Sequence, residues 1–175
     1  MEEMFDTFDI NGNFLSVKPK SYCHSQSPNC FHKTVWLWII DTKGRVLVQL
    51  RSKNKTFMPD LWDISCAGHV VSGESVIDAC IREAKEELGI SLSSNDITFC
   101  TEIVSMQFNE LGQFYITKLD PNAHDITLQE EELQEICWLN YSDFVSLLYS
   151  DKFVPHHTEC KDIFANTIKQ YLLML

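Results

Sequence analysis

Basic residues are scarce in this chain of 175 residues, which has 14 Lys and Arg against 25 Asp and Glu and a formal net charge of −11. Such a surplus of negative charge disfavours binding to the phosphate backbone of a nucleic-acid polymer. Glycine and proline are also few, with six and five residues. No repeat, linker or low-complexity tract divides the chain, and 45% of its residues are hydrophobic. We therefore expect one folded domain over residues 1–175.

The sequence also lacks an apolar run close to the roughly 18 residues that a membrane-spanning helix requires. Its start, MEEMFDTFDI, is acidic and has no positive segment before an apolar core, unlike a secretory signal peptide. Seven cysteines lie between Cys23 and Cys160 without Cys-x-x-Cys spacing, and their odd number does not suggest a disulfide framework. These features predict a cytoplasmic protein with no membrane partner, and they leave its oligomeric state open.

The apolar pattern predicts alternating strands and helices of the α/β (α+β) class. Strands are expected at residues 4–10, 14–17, 34–40, 46–50, 62–67, 97–107, 112–119 and 135–139, with an N-terminal hairpin within residues 1–30. Helices are expected at residues 78–88, 144–149 and 160–174, and a loop at residues 23–30. Ser75 is a suitable N-cap for the first helix, Gly89 is suited to end it, and residues 141–143 can cap the second.

Three acids are concentrated on the first of these helices, in the segment REAKEELGI. Helical spacing places Glu83, Glu86 and Glu87 on one side, where their like charges repel. An acidic helix face alone is usually solvated surface. A hard divalent ion such as Mg²⁺ or Mn²⁺ would relieve the repulsion and still have room for substrate phosphates. Arg82 is placed to orient one of the carboxylates.

The surrounding residues match a known pattern, G-x5-E-x7-R-E-U-x-E-E-x-G-U, in which U is a bulky aliphatic residue. The matching positions are Gly68, Glu74, Arg82, Glu83, Glu86, Glu87, Gly89 and Ile90, and only Ala84 departs from the pattern. Through this segment, residues 68–90, the chain resembles the Nudix hydrolases. The resemblance implies a mixed β-sheet sandwiched between helices and Mg²⁺-dependent cleavage of a diphosphate linkage, in a nucleoside diphosphate derivative or a related small molecule.

The same resemblance implies roles for these residues. Glu83, Glu86 and Glu87 would hold Mg²⁺ (or Mn²⁺) with help from the Gly68 carbonyl. Glu74 would pair with Arg82 or support the loop. Together with Arg82 and the three glutamates of the helix, it makes up the implied catalytic set. The general base could be one of the cluster's glutamates or an acid of residues 130–132, a segment that could equally be a solvated acidic turn.

Most of the chain also resembles a subgroup of this superfamily that contains isopentenyl-diphosphate isomerase. The shared features are the N-terminal hairpin, the segment GRVLV at residues 44–48 and the run WDISCAGH before the acidic helix. This second resemblance implies a histidine metal site, and the residues at approximately matching places are His24, His32, His69 and Glu110. Imidazole ligands favour Zn²⁺ or Mn²⁺ over Mg²⁺.

Three departures favour a hydrolase over an isomerase. In the isomerase, the cysteine that takes part in proton transfer to and from the alkene directly precedes the Gly-His pair, where this chain has Ala67. Cys66 comes one place earlier and would point to the opposite face of the strand. Phe108 aligns with a metal-binding glutamate of the isomerase. The isomerases also typically lose parts of the acidic motif that is complete in this chain.

Residues outside the motif would recognise the group attached to the diphosphate. Candidates for substrate binding are Arg51, Lys55, Phe57 and Glu131, although the basic segment at 51–55 could be a solvated hairpin loop. His156 and His157 are interpreted as surface residues. A third possibility is a binding module that uses the Nudix fold without turnover, which the intact acids disfavour.

Overall fold

A computed structural model describes residues 2–25 and 30–175 of the chain. The strands are β1 Met4–Phe8, β2 Phe14–Pro19, β3 Phe31–Asp41, β4 Val46–Arg51, β5 Trp62–Asp63, β6 Cys66–His69, β7 Ile97–Ser105, β8 Glu110–Leu119 and β9 Leu133–Leu139. The helices are α1 Lys20–Cys23, α2 Val76–Leu88, α3 Tyr141–Leu148 and α4 Thr158–Leu173. The predicted α+β class is confirmed. The single strand predicted at residues 62–67 is wrong, because β5 pairs with β4 whereas β6 pairs with β3. The other predicted strands and helices are present within a few residues.

One mixed sheet contains the nine strands of the described residues. β3 is its central strand, because it pairs antiparallel with β1, β4 and β6 and parallel with β8. The parallel register sets His32 opposite Glu110 and Trp36 opposite Phe114. Such a central strand is buried on both faces and therefore reads as a nearly continuous apolar run.

The two faces of β3 pack into two separate cores, because side chains alternate along a strand. Trp36, Trp38 and Ile40 contact the core beneath α3 and α4. Val35, Leu37 and Ile39 contact the core beneath α2. The expected arrangement of a sheet between helices is thereby confirmed.

Helix α2 begins and ends as its sequence predicts. The Ser75 side chain accepts a hydrogen bond from the Asp78 backbone N–H at 3.2 Å, and Gly89 ends the helix with φ 70°. Burial of Ala79, Cys80 and Ala84 holds the helix against the sheet, so its acidic side faces the end of β6.

One further local prediction, the cap of α3, is wrong. Asn140, rather than residues 141–143, caps α3, because its side chain accepts a hydrogen bond from the Asp143 N–H at 3.0 Å. The predicted loop at residues 23–30 overlaps α1 only at Cys23, and its residues 26–29 lie outside the described part of the chain. Among the helices of the described residues, none has the length and apolarity needed to cross a membrane.

Candidate active site

The acidic side of α2 meets β6 at Gly68. An added Cβ on this glycine would lie 2.0 Å from the Glu83 Cδ and 2.1 Å from its Oε1. No heavier residue could occupy this position without displacing the Glu83 carboxylate, since real Cβ contacts are never so short. The glycine is therefore required for close approach of the helix carboxylate to the strand backbone.

Arg82 connects the acids predicted to form the catalytic set. Its guanidinium donates two hydrogen bonds to Glu74, at 2.8 and 3.0 Å, and a third to the His69 carbonyl at 2.9 Å. Its Nη1 donates to Glu83 at 2.8 Å and to Glu86 at 3.0 Å. The predicted pairing of Glu74 with Arg82 is confirmed as a contact, and Arg82 orients two further carboxylates instead of one.

Glu87 is the buried member of the cluster, with 5% of its surface exposed. Burial, together with the nearby Glu83 charge, raises the pKa of Glu87 to about 8, against the opposing influence of Lys55. The Ala67 N–H points to its Oε2 at 3.4 Å, a weak contact. A desolvated carboxyl with a like-charged neighbour is a group that a cation would stabilise.

This donor set therefore fits a hard divalent cation. Glu83, Glu86 and Glu87 supply carboxylate oxygens, which Mg²⁺ and Mn²⁺ prefer. The exposed Glu86 side of the cluster leaves space for water and substrate phosphates. The Gly68 carbonyl, at the same end of β6, stays a predicted additional ligand.

Lys55 links the loop after β4 to the loop before β9. Its ammonium forms an ion pair with Glu132, and the Ser52 N–H donates to the Glu132 carbonyl at 2.7 Å. Lys55 also lowers the pKa of the neighbouring Glu87, so it faces the acidic cluster. Within the acidic segment 130–132 it is thus Glu132 that this contact places beside the cluster, while Glu131 is exposed.

Arg51 lines the cavity described below and its guanidinium is bound within the protein, so its role in substrate binding stays a prediction. It donates to the Asp63 carboxylate at 2.9 Å and to the backbone carbonyls of Met58 and Phe57 at 2.9 and 3.0 Å. These bonds fix a loop in which Met58 and Asp60 have positive φ values of 50° and 57°. Arg51 therefore shapes a wall of the site by holding this strained loop.

Three imidazoles converge beside the acidic cluster. One ring nitrogen from each of His24, His32 and His69 lies within 4.8 Å of the others. Among the described residues, both ring nitrogens of His32 and the Nε2 of His69 are buried without a hydrogen-bond partner. Burial, followed by repulsion from His24, lowers the pKa of His32 to about 3, and burial places the pKa of His69 well below its usual range. Neutral imidazoles with free nitrogens are suited to bind a transition metal.

A cavity of about 440 Å³ opens next to Gly68 and His69. Its polar lining includes Glu110, whose pKa is raised by burial to about 8. Its walls are largely apolar or aromatic, and they contain Trp36, Phe57, Met58, Phe108, Ile64 and Val154. The predicted role of Phe57 is compatible with this position.

The positions of Phe108 and Cys66 agree with the differences from the isomerase that the sequence indicates. The Phe108 ring contacts Phe57 edge-on, with centroids 5.9 Å apart, instead of supplying a carboxylate. Cys66 is buried in the core beneath α2, whereas Ala67 lines the cavity. Burial and the nearby Glu87 and Glu83 charges raise the pKa of the Cys66 thiol well above its usual value, which disfavours a thiolate.

The interpretation of His156 as a surface residue is wrong, although His157 is exposed. Residues 152–154 pair with the backbone of Trp62, through bonds of 2.8 and 2.9 Å, and this pairing draws His156 beneath the surface. His156 then lies 3.8 Å from Asp63 and lines the cavity. The sequence signal for this burial is weak, because a Pro-His-His segment is typical of an exposed loop.

Comparison with known proteins matches this chain to one protein family. A profile of the NUDIX domain matches residues 31–159. Nudix hydrolase 3 of Arabidopsis thaliana is 30% identical over 171 residues, which cover 89% of this chain but only 22% of the plant protein. An uncharacterized Nudix hydrolase of Listeria innocua is 35% identical, with 74% of this chain and 76% of that protein covered. An isopentenyl-diphosphate Delta-isomerase of Cutibacterium acnes is 29% identical, with 81% and 76% covered.

A solved structure shows the same fold over nearly the whole chain. The crystal structure of DR0079 from Deinococcus radiodurans superposes with a TM-score of 0.75 and covers 96% of this chain and 98% of its own. Its sequence is 17% identical, so the likeness concerns the fold alone.

Proposed function

The chain belongs to the NUDIX domain family, whose hydrolases act on diphosphate bonds, and we propose that it cleaves such a bond in a nucleoside diphosphate derivative or a related small molecule. The observation that carries the proposal is the cluster of Glu83, Glu86 and Glu87 oriented by Arg82 over Gly68. We further propose Mg²⁺ (or Mn²⁺) as the cofactor. A reducing compartment, the cytoplasm, suits the seven unpaired thiols of the described residues.

A bound divalent cation would neutralise charge on the diphosphate oxygens and lower the pKa of an attacking water. Arg82 would keep Glu83 and Glu86 directed at that cation through the hydrogen bonds described above. Lys55, bound to Glu132 in the free protein, would exchange this partner for a substrate phosphate. Glu132 would then be free to accept a proton, which makes it a candidate base alongside the glutamates of α2.

Hydrolysis is tested with a panel of nucleoside diphosphates, nucleotide sugars and dinucleotides in Mg²⁺. Release of phosphate or a nucleoside monophosphate is expected, and identification of the products reveals which bond is cleaved. Absence of turnover on the whole panel, together with metal-independent binding of one compound, would instead support a binding module. Incorporation of solvent deuterium into isopentenyl diphosphate would support an isomerase.

Cation binding is expected to strengthen with pH, because the Glu87 carboxyl must lose its proton to act as a ligand. With a pKa of about 8 in the free protein, the apparent affinity for Mg²⁺ should rise about tenfold per pH unit between pH 6 and 7.5 and level off above pH 8. Calorimetry in two buffers of different ionisation enthalpy would measure the released proton. A pH-independent affinity would contradict this role of Glu87.

We also propose that His24, His32 and His69 hold a second cation, Zn²⁺ or Mn²⁺, with Glu110 near them in the same cavity. Co²⁺ bound to the imidazoles should produce visible absorption bands at one equivalent, which His24→Ala abolishes. The exposed His157→Ala provides the matched control. Unchanged bands in the His24 variant would show that the imidazoles are not ligands.

A further inference from the structure

The cavity beside Gly68 contains a buried polar group that the hydrolytic mechanism leaves unused. The imidazole of His156 has 6% of its surface exposed. Both of its ring nitrogens are buried, and neither has a hydrogen-bond partner among the described residues. A buried polar atom without a partner is uncommon in a folded protein and points to a partner from outside the chain, such as a ligand or a water.

Aromatic rings position this imidazole. Trp36, Phe108 and Phe164 meet it edge-on, with centroid distances of 5.6, 5.7 and 5.5 Å. The ring therefore cannot turn away to solvent without displacing its neighbours. Its place in the cavity wall is fixed before any ligand binds, which is the arrangement expected of a recognition residue.

A carboxylate orients the ring electrostatically. The Asp63 Oδ1 lies 3.8 Å from the His156 Nε2, and the Oδ2 accepts a hydrogen bond from Arg51. Asp63 also accepts from the Ile64 N–H at 2.8 Å, so the carboxylate is held in place. A proton on Nε2 is favoured by this neighbour, which leaves Nδ1 as a hydrogen-bond acceptor.

We propose that His156 is a specificity-determining residue that hydrogen-bonds a polar group on the non-phosphate part of the substrate. The proposal rests on the proposed diphosphate hydrolysis and adds the chemistry of the attached group. That group is planar and carries an N–H or O–H donor, as a heterocyclic base does, because the surrounding walls are aromatic and the recognition atom is an acceptor. A purely hydrocarbon group would leave the imidazole unpaired and is therefore disfavoured.

The test compares His156→Phe, which keeps a ring of similar size, with His156→Gln, which keeps a hydrogen-bonding group. The substrates are the best nucleoside diphosphate derivative of the panel and dimethylallyl diphosphate. His156→Phe is expected to raise KM for the former about tenfold with little change in kcat, as the loss of one hydrogen bond predicts, and His156→Gln should recover part of the loss. Neither change should weaken the use of dimethylallyl diphosphate.

The exposed neighbour His157→Phe is the matched control, and thermal unfolding of each variant detects damage to the fold. An unchanged KM in a folded His156→Phe variant would overturn the proposal, as would a preference of the wild-type protein for dimethylallyl diphosphate. A parallel binding assay uses adenosine, guanosine, cytidine and uridine diphosphates with Ca²⁺ in place of Mg²⁺. Weaker binding by His156→Phe without any wild-type turnover would support the recognition role while rejecting hydrolysis.

Discussion

Replacing Glu87 by Gln is expected to lower kcat/KM for diphosphate hydrolysis by about 10³-fold. The amide retains the size of the side chain but cannot supply the anionic oxygen that a divalent cation requires. Loss of several kcal/mol of charge stabilisation in the transition state corresponds to a factor of this size. Steady-state kinetics at saturating Mg²⁺ would measure the change. Glu159→Gln, an exposed carboxylate on α4, is the control and should retain full activity.

Glu87→Gln should also stabilise the folded protein when no metal is bound, although it lowers activity. The pKa of Glu87 is about 8 in the folded protein and 4.5 in an unfolded chain, so protonation favours folding. This contribution is complete below pH 4.5 and is lost as the pH rises through 8. Glu87→Gln should therefore gain unfolding free energy relative to wild type between about pH 5.5 and 8.5 in EDTA. A difference that does not change with pH would show that Glu87 is not the desolvated acid.

The acidic motif was predictable from the sequence because its geometry is local. Glu83, Glu86 and Glu87 share one helix, and helical spacing alone places them on one side. Ser75 and Gly89 set the ends of this helix through contacts within a few residues. The approach of Glu83 to Gly68, however, depends on how α2 packs against β6, which no local rule determines.

The remaining parts of the site depend on contacts between distant segments. His156 approaches Asp63 only because residues 152–154 pair with Trp62. Lys55 meets Glu132 across 77 positions of the chain. Sequence patterns of this kind describe exposed loops equally well, so the hydrogen bonds by which the Arg51 guanidinium holds the wall of the cavity were not predictable from the sequence.

Replacing Gly68 by Ala is expected to lower activity about 100-fold while the fold remains intact. The new methyl group would occupy the space of the Glu83 carboxyl, which must then move away from β6 and from Arg82. Displacement of a catalytic group by an ångström can cost a factor of this size. Because only the end of a flexible side chain is displaced, the unfolding free energy should fall by no more than about 1 kcal/mol.

Gly112→Ala provides a contrasting glycine variant. Its added Cβ would lie 2.5 Å from the Trp36 ring, which is 2% exposed and held within the core. Overpacking at such a position should lower the unfolding free energy by about 1–3 kcal/mol. Urea unfolding of the two variants therefore separates a change in the site from a change in the core. Equal destabilisation by both would contradict a local effect at Gly68.

The decisive measurement is the effect of Gly68→Ala on kcat/KM in a protein that already carries Glu83→Ala. If the methyl group acts only by displacing the Glu83 carboxylate, it should have almost no further effect on kcat/KM once that carboxylate has been removed. If Gly68→Ala instead disturbs its own backbone carbonyl, a predicted cation ligand, the two losses should multiply. The double-mutant cycle thereby distinguishes a requirement for space above β6 from a direct role of the strand backbone.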